Sequence, residues 1–110
     1  MEKLLVFTNL PDRAAAQALA AALIEGRLAA CVNVLAECTS VYRWHGQVES
    51  SAEVPVLIKT RAARYPEVEA LIRSLHPYEL PEIVALPIVD GAPNYLNWLD
   101  ENLGENPGTV

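Results

Sequence analysis

The stretch from Ala29 to Gly46 is the strongest constraint on what this 110-residue chain can fold into. Leu28 to Leu35 reads as strand, and so does Ser40 to Trp44, with only a weaker Ala36-Glu37-Cys38-Thr39 between them. The run ends at His45-Gly46-Gln47, which carries the glycine of a tight hairpin. Fully extended, these roughly 18 residues would span about 60 Å at about 3.3 Å each. A compact chain of this size has a radius of gyration of roughly 13 Å, and its body is only about half to two-thirds as wide as that span. Either the strand breaks near Glu37 or the hairpin projects beyond the body. A projecting tip with Val41, Tyr42 and Trp44 leaves apolar surface and unpaired strand edges in water. Packing on another subunit removes both problems, so the sequence predicts an oligomer.

The remaining segments supply a scaffold for that hairpin. Leu4 to Asn9 runs apolar without alternation, which predicts a short strand buried on both faces. Pro11-Asp12 opens a helix, with proline at the first helical position and Asp12 at the positive end. Ala15, Ala18, Leu19, Ala22 and Leu23 give it one apolar face, and Gly26 stops it. Val54 to Thr60 returns the hairpin. Pro55 has no N–H to give, so it is expected at a bulge or on an exposed edge. Pro66 opens a second helix whose face is Tyr65, Val68, Leu71, Ile72 and Leu75. Pro77 ends it at His76. Ile83 to Val89 is the last core strand, with Pro87 again implying an edge or bulge. Pro93 starts a short third helix, with Gly104 closing it. The order is βαββαβ with a terminal helix. The predicted fold class is therefore α+β: a ferredoxin-like βαββαβ antiparallel sheet with helices on one face plus a short C-terminal helix. Residues 1–104 form one domain in this reading, and 105–110 a mobile polar tail.

Composition narrows the function. At 52% apolar and 20% charged residues the chain should fold rather than stay disordered. A net charge of −6 with no basic stripe argues against nucleic acid as a partner and suits a protein that meets cations. The run Leu4 to Phe7 is too short for a signal-peptide core, and no stretch is long enough for a membrane span, so a cytoplasmic protein with no membrane partner is expected. Cys31 and Cys38 match neither a CxxC pair nor a disulfide framework, and a reducing compartment would keep them as thiols.

No phosphate loop, metal motif with ligand spacing or Ser-His-Asp order is present, so the chain does not read as an enzyme. Three groups of side chains carry chemistry. The densest is His76-Pro77-Tyr78-Glu79-Leu80-Pro81-Glu82, with an imidazole, a phenol, two carboxylates and two prolines in seven residues. His76, Glu79 and Glu82 offer one imidazole and two carboxylates, a set for a weakly held divalent metal such as copper or zinc. The competing use is helix termination and interface hydrogen bonding. Tyr42 and Trp44 alternate onto one face of the hairpin, as interface anchors or as one wall of a ligand site, and Tyr42 falls opposite Glu49 if His45-Gly46 forms the turn. Lys59 is a cation inside an apolar strand and should be paired with Glu49, Glu53 or Glu82, or hold an anionic ligand. Tyr78 completes the ligand-binding set of Tyr42, Trp44, Glu49, Lys59 and Tyr78. Cys31 sits mid-strand, where a thiol packs as a small hydrophobe.

Four segments taken together, Arg27 to Asn33, Ser40 to Glu49, Val56 to Thr60 and His76 to Ile83, resemble the CutA family of divalent-cation tolerance proteins. The collinear likeness runs from Leu4 to Leu103. The resemblance implies a homotrimer of ferredoxin-like subunits similar to the nitrogen-regulatory PII proteins. It also implies a role in tolerance to copper and other divalent metals, with a divalent metal or a small molecule bound in clefts between subunits and no cofactor required. A PII-like metabolite sensor and a ligand-free trimeric scaffold are the alternatives. Copper binding in the family leans on a cysteine near the end of the first strand and on paired histidines before the His-Pro-Tyr motif. The matching positions here are Thr8 and Leu75, which leaves His76 alone of that set.

Overall fold

A computed structural model describes residues 2–104, so the expected tail at 105–110 lies outside the described residues. The elements follow in the order β1 (Lys3–Leu10), α1 (Arg13–Glu25), β2 (Cys31–Val34), β3 (Cys38–Trp44), β4 (Gln47–Arg61), α2 (Tyr65–Leu75), β5 (Ile83–Ile88) and α3 (Pro93–Glu101), with a single 3-10 turn, Ala62–Arg64, leading into α2. The sheet is antiparallel in the order β2-β4-β1-β5, and β3 pairs with β4 beyond the end of β2. This is the expected ferredoxin-like α+β fold.

Alternation divides the sheet into two faces. Val6, Leu10, Val54, Val56 and Ile58 point to one side, where they bury against Ala16, Leu19 and Leu23 of α1 and Val68 and Ile72 of α2. The opposite side carries Leu5, Phe7, Leu57, Val84 and Leu86, none of them fully buried. Strand β1 is therefore buried on its helix side and only half-covered on the other. Helix α3 crosses one end of the open side, where Lys59 Nζ donates to the Tyr95 hydroxyl at 3.2 Å and Lys3 pairs with Asp100 at 3.1 Å.

Several boundaries differ from the sequence reading. Pro11 stands outside α1, and Asp12 is its cap: the side chain accepts from the Ala15 N–H at 2.8 Å. Strand β5 is an exposed edge rather than a core strand, which accommodates Pro87 as expected. Leu75 is exposed and not part of the buried face of α2. Pro55 is neither at an edge nor exposed: it is buried in β4 between β1 and the β2–β3 side. Its carbonyl accepts from Leu35 N–H at 2.9 Å. A strand residue directs its N–H and C=O to the same neighbour, so the missing donor faces the interruption at Leu35 to Glu37, where no ladder bond is lost.

The two solutions offered for the long stretch both occur. The chain breaks between Val34 and Cys38, yet the hairpin still projects, because β4 runs unbroken for 15 residues and carries β2 on its body half and β3 on its outer half. The molecule measures 48 × 27 × 24 Å, and the long dimension is about that of β4 itself at roughly 3.3 Å per residue.

Candidate functional site

The loop His76 to Glu82 is fastened to the end of β1. Helix α2 stops because His76 adopts an extended backbone at φ −81°, ψ 130°, the conformation required before Pro77. His76 is 8% exposed. Its Nε2 lies 2.6 Å from the Asn9 carbonyl, and its Nδ1 accepts the Tyr78 N–H at 3.2 Å. A carbonyl can only accept, so Nε2 carries the proton and Nδ1 is the acceptor. Asn9 replies with its side chain, donating from Nδ2 to Glu82 Oε1 at 3.0 Å. One residue of β1 thus holds both ends of the motif.

So held, the loop faces the hairpin of its own chain across a cleft of about 1000 Å³. The loop side is Pro77 to Glu82, the hairpin side includes Tyr42, Trp44 and Glu53, and Phe7 and Asn9 of β1 close the inner end. The register explains which side chains enter. Ser51 and Glu53 of β4 lie opposite Ser40 and Cys38 of β3, and Tyr42 and Trp44 continue the same alternating row. The Tyr42 hydroxyl and Ser51 Oγ are 2.7 Å apart. Glu53 is 9% exposed, and its carboxylate acts on the Tyr78 phenol. Burial first, and then the Glu53 carboxylate, push the Tyr78 phenol above the usual tyrosine range. Within one chain no lysine, arginine or histidine lines the cleft, and the charge of its walls is set by Glu53, Glu79 and Glu82.

The candidate residues separate accordingly. Tyr42, Trp44, Tyr78, Glu79 and Glu82 come together in the cleft. Glu49 lies opposite Tyr42 as the hairpin register requires, but the phenol is bonded diagonally to Ser51 and Glu49 is not part of the lining. Lys59 stands apart. It lies opposite Cys31 on the open face, and its bond is to the Tyr95 phenol of α3, not to Glu49, Glu53 or Glu82. His76 is behind the loop with both ring nitrogens committed. Among the described residues no group of three His, Cys, Asp or Glu side chains is arranged to hold a metal ion, so His76, Glu79 and Glu82 are not assembled into a metal centre within one chain. Asn9 and Glu53 are the contributors that sequence reasoning missed as site residues. Asn9 looked like the end of an apolar strand, and Glu53 entered only as a possible partner for Lys59. The signal available for Glu53 was its alternation with Ser51 and Glu49 on the return strand, in register with Tyr42.

The chain matches the family described as CutA1 divalent ion tolerance protein over residues 4–102. It is 46% identical over 104 residues to the divalent-cation tolerance protein CutA of Thermus thermophilus, a match covering 94% of this chain and all of that one. It is 42% identical to the mouse protein CutA over 86% of this chain, and it spans 54% of that longer protein. Among solved structures, CutA1 from the psychrotrophic bacterium Shewanella sp. SIB1 superimposes with a TM-score of 0.92 at 42% identity, covering 94% of this chain and 97% of that one. No helix among the described residues is long and apolar enough to cross a membrane.

Proposed function

Because this chain belongs to the CutA1 divalent ion tolerance family, we propose that it serves divalent-cation tolerance as a homotrimeric binding protein, holding a small ligand or a divalent cation in clefts completed between subunits. The observation that carries this reading is the cleft between the hairpin and the loop at 77–82, where aromatic and carboxylate side chains from two distant segments meet. Such a mixture of apolar wall and few polar groups is what small-ligand sites are made of. The rings of Tyr42, Trp44 and Tyr78 would exclude water from a bound molecule, and the carboxylates would orient it.

The donor set does not fit a resident metal. The lone pair of His76 Nδ1 is used by the Tyr78 N–H, and its Nε2 proton by the Asn9 carbonyl. A divalent cation is thus cargo met by exposed carboxylates, not a cofactor of a single subunit. The cytoplasm is the compartment that suits Cys31 and Cys38, which are both unpaired.

Thermal melts in the presence of Cu²⁺, Zn²⁺, nucleotides and small organic molecules test the reading. A ligand of the native state raises Tm with its concentration by mass action. Stabilisation by a divalent cation or a small organic molecule, lost on Tyr78→Ala, supports binding in the cleft. Stabilisation by nucleotides alone favours a PII-like sensor, and no response to any of them leaves a trimeric scaffold.

A further inference from the structure

We infer that the cleft takes a small organic cation, a primary ammonium or guanidinium group on a short apolar body; this rests on the cleft being a binding site at all. Three observations carry it. The first is charge. Glu53, Glu79 and Glu82 line this chain's walls of the cleft with no basic side chain among them, so these walls repel an anion, and a neutral apolar guest leaves Glu53 further desolvated without a counter-charge.

The second is the supply of hydrogen bonds. Of the donors present, Asn9 Nδ2 is spent on Glu82 and one of the Tyr42 and Ser51 hydroxyls on the other, while the Tyr78 phenol feels the Glu53 carboxylate. Asn9, 6% exposed at the inner end, has a side-chain oxygen with no partner at all. The orientation of that amide follows from Glu82, which can accept only from the nitrogen. The carboxylates of Glu53, Glu79 and Glu82 with this Asn9 oxygen make the lining rich in acceptors, and the complement of acceptors is a donor-rich group.

The third is the ring surface. Tyr42, Trp44 and Tyr78 stand in the same cleft as the carboxylates. Aromatic faces attract weakly hydrated organic cations, Trp most strongly. A small inorganic ion gains little from them and needs the multidentate oxygen cage that these side chains do not form.

The test uses the assembled protein carrying Trp98→Phe, so that emission reports Trp44. Benzylammonium, benzyl alcohol and benzoate present one ring with positive, neutral and negative ends. Benzylammonium is expected to change the emission saturably and to bind at least ~10-fold more tightly than benzyl alcohol, with benzoate weaker still. Mg²⁺ at matched ionic strength should not compete. Glu53→Gln should remove the preference for the cation and leave the weak binding of the alcohol. Glu79→Gln, at an exposed position, should reduce the same preference and serves if the buried substitution unfolds the chain. Equal binding of alcohol and ammonium, tighter binding of benzoate, competition by Mg²⁺, or a preference that survives both substitutions overturns the inference while leaving a binding cleft. If none of the three probes binds, the cleft reading falls with it.

Discussion

His76 shows how a side chain with metal-binding chemistry can be used up by structure. Its ring donates to one buried carbonyl and accepts from one backbone N–H, and so ties the loop to β1. Removing it leaves the Asn9 carbonyl without its donor in a buried setting, which costs about 1–3 kcal/mol. His76→Ala should lower stability by that amount in denaturant melts. The shift in Tm caused by Cu²⁺ or Zn²⁺ should be the same in the variant as in the wild type; a shift abolished by the substitution would restore His76 as a ligand. Tyr78 makes a second prediction at this scale. Burial and the Glu53 carboxylate raise its phenol above the usual tyrosine range, so the folded state holds the proton more tightly than the unfolded chain. That contribution to stability is complete below pH about 10 and is lost as pH rises through the folded value. Tyr78→Phe should therefore flatten the decline of stability with alkaline pH, measured as denaturation midpoints from pH 9 to 12, and a decline unchanged from wild type would contradict the assignment. The chemistry of the motif was legible in the sequence because its residues are adjacent. Its destination was not, since the residue that fastens it, Asn9, is 67 positions away from His76 and reads locally as the end of a strand.

The hairpin is the element on which the cleft depends. His45 and Gly46 both have positive φ, 49° and 78°, which is the backbone of a two-residue turn whose twist matches that of its strands. Gly46 adopts this conformation freely, whereas a β-branched residue there carries left-handed strain of about 1–2 kcal/mol. Gly46→Val should lower the melting temperature and weaken the fluorescence response of Trp44 to any cleft ligand, while His45→Asn, better suited to a positive φ, should be neutral or stabilising. An unchanged melt for Gly46→Val would mean that the turn does not contribute to stability. At this scale the sequence was largely readable. Three helices at a period of 3.6, the hairpin turn and the topology all follow from local pattern and from right-handed crossover. Two features did not. Pro55 reads as an edge residue because proline lacks a donor, yet it is central, since the neighbouring strand is broken opposite it; that break belongs to the pairing, not to the residue. Lys59 reads as a cation in search of a carboxylate, yet its partner is a phenol on α3, a helix that sequence alone could not place on the open face.

The whole molecule leaves two surfaces unfinished. Half of β4 carries only β3, and a two-stranded ribbon standing alone in water is marginal at best. Val41 on that ribbon is 69% exposed. Beside it, the open side of the sheet presents Val84 and Leu86 on an edge strand next to Leu5 and Phe7, with Leu86 51% exposed. A contiguous apolar face of this kind marks an interaction surface. One partner disposes of both, because a second copy offers an equal ribbon and an equal face in return. Any closed ring satisfies every copy equally, which is the symmetry expected of a homo-oligomer, and the proposed trimer is one such ring. A charge placed in the middle of the face separates this from a monomer whose face is simply tolerated. Leu86→Glu adds a carboxylate at a position already half-exposed, so the fold of one chain should survive, with circular dichroism unchanged. Buried between subunits, the same carboxylate would be unpaired and costly. Sedimentation equilibrium at micromolar concentration should then give three times the chain mass of 12.0 kDa for the wild type and a single chain for Leu86→Glu. A wild type that sediments as one chain, or a variant that keeps the wild-type mass, would remove the open face as the interface and leave the cleft to a single subunit.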